Sequence, residues 1–365
     1  MIGYGNSVFL RTAWEVSGGV PPVNTVAPAI TGTAQGGQTV SCSTGTWTGT
    51  PTITFAYQWK RNGSNIGSAT NSTYVIVKAD VAQSITCEVT ATNGSGSASA
   101  TSNTITPTAA VDPDAQAFIT AAAITNPTQQ SAINQLVLDL KGYSIWTKMK
   151  ALYPFVGGTA SQHKWNLKDP RDLNAAFRLT FHGGVNHSSN GVQGNALNGY
   201  YNTYLNANSL PITSNASGIY IRTNVSESGT DFGAINTNAY DSAQFSSRNT
   251  SNQYVSRWFQ SSNATAVTSN SDSRGFYQLT RRNVNDYVTA KGTTKVTNLA
   301  GSSSTIPSMN FYGLAAYFVS TNADAFHSSK QVAFHYFADS SLSDTELDNL
   351  NTAVQAFQTA LSRNV

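Results

Sequence analysis

The sequence holds two cysteines in 365 residues, and charged side chains make up only 11% of it, against roughly 25% in an ordinary soluble protein. Two cysteines exclude a four-thiolate zinc site, and there is no CxxC pair to poise a reactive thiolate. Lys and Arg together number 21 against 18 Asp and Glu, a formal charge of +3 that is dispersed along the chain. A nucleic-acid footprint needs a concentrated basic face, so no nucleic-acid partner is expected. No apolar run reaches the ~20 residues of a membrane-spanning helix. The opening MIGYGNSVFLRTAWEVSGG lacks a basic region followed by a long apolar core and does not read as a secretory signal. Export by another route, or assembly into a particle released by lysis, stays open. Five histidines (His163, His182, His187, His327, His335) show no HExxH or HxH spacing, and GxSxG is absent. With so few charges, the solvated surface must be built from Ser, Thr, Asn and Gln, as on a sandwich surface or the outside of a large assembly.

What is present is strand punctuated by turns. Residues 1–22 hold Tyr4, Phe9, Leu10, Trp14 and Val16 before Gly18, Gly19, Pro21 and Pro22. That segment is too short to fold alone and too apolar for a purely solvated tail, so it reads as a docking arm or as a flap on its own protein. In residues 23–108, short strand candidates alternate with Gly/Thr/Ser turns. Ile85, Cys87 and Val89 alternate with Ser84, Thr86, Glu88 and Thr90, the period of two that separates a core face from a solvated one. Cys42, Trp59 and Cys87 follow the order of an immunoglobulin fold, cysteines on two facing strands around a buried tryptophan. The run YQWKRNGSNI followed by ITCEVTATNGSGSA resembles bacterial and phage immunoglobulin-like modules. Ile85 stands where a tyrosine corner would place its aromatic, a departure from antibody-type domains. Cys42 and Cys87 are expected to pack in the core and to form a disulfide only in an oxidising compartment.

Residues 109–158 change to helical period. Asp112-Pro113 and Asn126-Pro127 are cap-then-first-turn signals; Ile133, Leu136, Val137 and Leu140 form a stripe ended by Gly142, and Ser144 to Leu152 predicts one more helix. This segment reads as a helical connector packed on the domain C-terminal to it. Residues 159–365 return to strands such as FRLTFHG, GIYIRTN, YVSRWFQ, GFYQLTR and QVAFHYFA. They close on a helix marked by Ser343, Glu346 and the Leu342/Leu347 staple, with Leu347, Leu350, Val354, Phe357 and Leu361 on one face.

VNHSSNGVQGNALNGYYNTYLNAN, SGIYIRT and FHYFADSSLSDTELDNLNTAVQAFQTAL together resemble the concanavalin A-like, laminin-G-like domains of tailed phages. The preceding helical segment is similar to one that accompanies those domains in phage structural proteins. The resemblance implies a mainly β chain: an immunoglobulin-like sandwich, a helical connector, then a jelly-roll sandwich with a C-terminal helix. It also implies a virion protein, either capsid decoration or a tail or fibre component, with other virion proteins as partners. A host-surface glycan is the implied target, and a homo-oligomer is compatible. No carbohydrate site transfers onto particular residues.

Glycoside hydrolysis needs two carboxylates across a cleft. The candidate acid pairs are Glu227 with Asp231, in a polar connection, and Asp344 with Glu346, in a helix cap; neither forms an alternating strand pattern of acids, so no catalytic residue is expected. Calcium would draw on Asp231, Asp241 or Asp272, which show no clustered ligand pattern; no other cofactor is implied. His182 and His187 flank a Gly/Asn loop and could sit together. Sugar binding needs an aromatic platform and planar amides. Tyr200, Trp258 and Tyr277 are the candidate platforms, alongside Tyr201 and Tyr287, with Asn195, Asn198, Asn202 and Arg281 as polar neighbours. Tyr200 and Tyr201 are adjacent, so in a strand they point to opposite faces, while Trp258 also fits a core position and Arg281 a solvated turn.

Overall fold

The computed structural model describes residues 18–235, 242–260, 266–299, 308–318 and 323–365. Tyr4, Phe9, Leu10, Trp14 and Val16 of the expected arm, and Asp241, lie outside the described residues. The chain forms two compact units that divide between Ala110 and Val111.

The first unit is an immunoglobulin-like sandwich. A three-stranded sheet takes Ile30–Thr31, Thr39–Cys42 and Thr73–Val75, and a four-stranded one takes Ser64–Asn65, Thr54–Arg61, Ile85–Asn93 and Gly96–Thr101 in spatial order. Val20–Val26 pairs separately with Thr46–Thr50. Trp59 lies directly opposite Cys87 in the ladder. It is fully buried among Val40, Cys42, Ile76, Ile85 and Val89, stacks on Tyr74 at 5.3 Å and donates its indole N–H to the Asn71 carbonyl. Ile85 thus fills core space. Asp80, unflagged by sequence, is buried and accepts from Arg61 Nε, Tyr74 OH and Val77 N, each at 2.8 Å.

Cys42 and Cys87 are buried free thiols in the same core cluster. Their hydrogen bond lowers the pKa of Cys42 and, with burial, raises that of Cys87. Oxidising the pair closes a long loop and should add about 4 kcal/mol to the stability of this unit. Denaturant unfolding with and without reductant checks it. Equal midpoints in a sample shown by mass to be oxidised would contradict the expectation.

The second unit has three layers. One sheet runs, in spatial order, Asn186–Ser188, Gly191–Gln193, Gln331–Ala338, Asn215–Ile221, Gly275–Arg281, Asp286–Lys291 and Thr294–Leu299. One face of this sheet is covered by helices. Pro113–Ala121 and Pro127–Gly142 are capped by Asp112 and Asn126, and Asp344–Ala360 by the Ser343–Glu346 capping box. Phe118, Ile133, Leu136 and Val137 from the first two meet Leu347, Leu350, Val354 and Phe357 from the third over Tyr220, Phe276, Phe334 and Tyr336 of the sheet. The helix expected over Ser144 to Leu152 is instead a single 3-10 turn, Trp146–Lys148, followed by a strand, Met149–Tyr153. The backbone hydrogen bonds offered by Gln331–Ala338 decide the matter, with Leu152 opposite Tyr336 and Tyr153 opposite His335.

The other sheet runs Thr180–His182, Tyr200–Asn206, Asn310–Gly313, Phe232–Ile235, Ser242–Ser246, Gln253–Gln260 and Ala266–Ser269. After Gly313 the chain turns at Leu314, whose φ is +63°, and Ala316–Phe318 resumes parallel to Phe232–Ile235. Between the sheets lies an aromatic core that includes Tyr153, Phe232, Phe245, Trp258, Phe311 and Phe337. Strand Gln331–Ala338 is buried on both faces because it is the middle layer, whereas Tyr200–Asn206 alternates between half-buried and buried residues. Its half-buried side chains belong to the outer face of the second sheet.

Candidate functional site

Alternation along Tyr200–Asn206 sends Tyr201, Thr203 and Leu205 into the core and leaves Tyr200, Asn202 and Tyr204 outside. Tyr201 is anchored by a 2.8 Å hydrogen bond between its hydroxyl and Nδ1 of buried His335. Gly313, opposite Tyr201, gives the ring its space, since a Cβ there would sit 1.9 Å from the ring. Register places His182 opposite Tyr200 and both Thr180 and Tyr312 opposite Asn202. His182 therefore stacks on Tyr200, with centroids 4.7 Å apart and planes at 14°. Tyr312 meets Tyr200 edge-on at 5.2 Å, and His327 lies at 6.2 Å. Thr180 Oγ1 is 3.1 Å from His182 Nε2 and 3.3 Å from the Tyr204 hydroxyl. The result is a ring cluster bordered by hydroxyls and the Asn202 amide.

Asn195 and Asn198 serve this face by shaping its lip. Asn195 Oδ1 accepts from the backbone N–H groups of Leu197, Asn198 and Gly199 at 2.9–3.0 Å. Its Nδ2 donates to Asn198 Oδ1, which also accepts from Gly184 N. Asn195 spends its amide on the loop, a correction to its expected role as a sugar contact; Asn198 is exposed. The loop they fix holds up Leu197, 77% exposed.

Three expected contacts are sealed inside the sandwich, and burial removes them from any surface site. Trp258 donates to Asn215 Oδ1 at 2.6 Å and stacks on Phe311. Tyr277 takes a bond from Asn270 and gives one to the Asp272 carbonyl. Arg281 is buried rather than in a solvated turn because the carbonyls of Trp258, Phe259 and Val284 accept from its guanidinium at 2.7–2.8 Å. Tyr287 is likewise core. His187 meets His163, Nδ1 to Nδ1 at 3.0 Å, and not His182. Tyr312 and His327 were not among the expected site residues. They reach Tyr200 through pairings and loops more than 100 residues away, which no local pattern announces.

Farther across the same sheet is a groove of about 260 Å³, lined by Ser228, Thr230, Gln244, Ser246, Arg257 and Phe326 among others. Phe326 adjoins His327, so one short loop borders both the groove and the ring cluster. Beneath that loop, Lys330 Nζ lies 3.1 Å from Asp231 Oδ1 and 3.6 Å from Glu227 Oε1. Ser328 Oγ donates to Glu227 at 2.7 Å, and Ser329 donates its N–H and hydroxyl to the same carboxylate. The two acids converge as a pair, yet on an ammonium group and not on an open cleft.

The same contact corrects Asp231 as a calcium ligand, because Lys330 already sits where a cation would. The Asp272 carboxylate is held by Arg274, which lowers its pKa to about 2. Asp344 pairs with Arg282, and Glu346 pairs with Lys148 at the helix cap. Among the described residues no group of three or more His, Cys, Asp or Glu is placed to hold a metal.

No family model and no curated protein matches this chain. Among solved structures it is similar to a mutant of Trypanosoma rangeli sialidase displaying trans-sialidase activity, at 9% identity and TM-score 0.42, covering 75% of this chain and 43% of that one. It is also similar to a receptor binding domain (12%, 0.42, covering 58% and 52%) and to the binding domain of botulinum neurotoxin DC in complex with rat synaptotagmin II (13%, 0.39, covering 58% and 52%). The chain spans about half the length of these proteins or less. At such values they are distant likenesses.

Proposed function

We propose that this is a noncatalytic adhesive protein of a phage virion, a capsid decoration or fibre component, whose jelly-roll unit binds a host-surface glycan on the outer face of its second sheet. The observation that carries the binding reading is the cluster of Tyr200, His182 and Tyr312, bordered by Asn202, Tyr204 and Thr180. Aromatic faces cover the apolar face of a sugar ring, and hydroxyl and amide groups pair with its hydroxyls. Many copies on a particle would raise the avidity of contacts that are individually weak. The virion setting and its capsid or tail partners rest on the sequence resemblance.

A second reading, a tail or connector assembly protein, is favoured by one feature of the first unit. Val20, Val23 and Val26 are 51%, 55% and 59% exposed along a single strand, an apolar row suited to a neighbouring subunit. The glycan-degrading alternative is disfavoured because Glu227 and Asp231 are committed to Lys330 and Ser328.

Titration of the full chain with host-envelope polysaccharide tests the binding reading. Tyr200→Ala should weaken binding by about 2 kcal/mol, roughly 30-fold, with the unfolding midpoint little changed. Equal affinity in the variant, or no saccharide bound by the wild type, would sink it.

A further inference from the structure

Resting on that reading, we infer that the glycan held on the Tyr200 face is uncharged, selected against sialylated, uronic and sulfated saccharides. Among the described residues the outward side chains here are Thr180, His182, Tyr200, Asn202, Tyr204 and Tyr312, with no lysine or arginine. The nearby cations are engaged elsewhere. Arg178 bonds Asp172 and Asn174, Lys164 bonds Asp172, and Lys330 is buried on Asp231. Arg257 lies on Gln253–Gln260, four strands from Tyr200–Asn206 in the sheet order, about 19 Å away at ordinary strand spacing.

A carboxylate or sulfate moved onto this face would give up hydration with no guanidinium, ammonium or array of backbone N–H groups to replace it. The imidazoles at this face belong to the ring cluster itself: His182 lies flat on Tyr200, and the His327 ring is 6.2 Å from it. A neutral sugar loses nothing comparable. Its hydroxyls find the Asn202 amide and the Tyr204 and Thr180 hydroxyls, and its ring finds the aromatic cluster. The scarcity of charge that marks the whole sequence is thus a specificity device at this position.

The test is binding of the full chain to matched saccharide pairs, asialo against sialylated, unsulfated against sulfated, hexose against hexuronate. The neutral member of at least one pair should bind, its acidic partner at least 10-fold more weakly. Neutral binding should change less than about twofold between 50 and 500 mM NaCl, since no counterion is released. Preference for the acidic member, with affinity falling steeply with salt and lost in Arg257→Gln, would overturn this inference while leaving glycan adhesion standing. Binding of no saccharide in either class would overturn both.

Discussion

Replacing Lys330 with methionine should destabilise the second unit by about 3–5 kcal/mol, because it leaves the buried Asp231 carboxylate, and the half-buried Glu227 beside it, without their cation. Lys330 and Asp231 are fully buried, and Glu227 is half-buried, its side chain 14% exposed. The cluster ties the turn Ser328–Lys330 to the segment Glu227–Asp231, and directly before that turn Phe326 lines the groove and His327 meets Tyr200. The loss should therefore appear in urea unfolding and, under conditions where the variant is folded, as weaker glycan binding. Adding Asp231→Asn and Glu227→Gln to Lys330→Met should restore part of the stability, because the uncompensated charges are removed. A Lys330→Met variant within 1 kcal/mol of wild type would show that the cluster is dispensable.

Acid should unfold this unit well above the range where its carboxylates titrate. His163 and His335 are buried, and burial lowers both pKa values to about 3, with the neighbouring His187 and Arg363 adding to the effect at His163. In an unfolded chain both titrate near 6.5. Above about pH 6.5 neither state is protonated and stability is unaffected. As pH falls below that value the unfolded chain takes up protons that the folded chain refuses, so stability declines until the folded pKa is reached. At pH 5 each histidine accounts for about 2 kcal/mol, together about 4 kcal/mol. Depressed carboxylates such as Asp272 add their loss only below pH ~4. Urea midpoints measured from pH 8 to 5 check this, and His163→Leu should remove about half of the decline. A flat profile between pH 7 and 5 would contradict the burial of these rings.

Much of the architecture is legible wherever one strand or helix has one buried face. SITCEVTA alternates and becomes the strand Ile85–Asn93, with Cys87 against Trp59. Ser343 and Glu346 form the capping box that their spacing announces. Tyr200 and Tyr201 separate onto opposite faces because a strand has a period of two. Legibility fails where tertiary partners decide. Met149–Tyr153 carries helical spacing, yet it completes a ladder with Gln331–Ala338. Trp258, Tyr277 and Arg281 look like binding residues by type, but the second layer of the sandwich closes over them, and carbonyls satisfy the Arg281 cation. The ring cluster proposed as the binding face draws His182, Tyr200, Tyr312 and His327 from four segments, a convergence created by sheet order and not by any local motif.

Hydroxyl-radical footprinting of the full chain, free and saturated with a bound neutral saccharide, tests the location of the site most directly. Oxidation of Tyr200, His182 and Tyr312 should fall on binding, while Val20, Val23 and Val26 in the first unit stay unchanged. Protection confined to the immunoglobulin-like unit, with Tyr200 as reactive as in the free protein, would contradict the assignment of adhesion to this sheet.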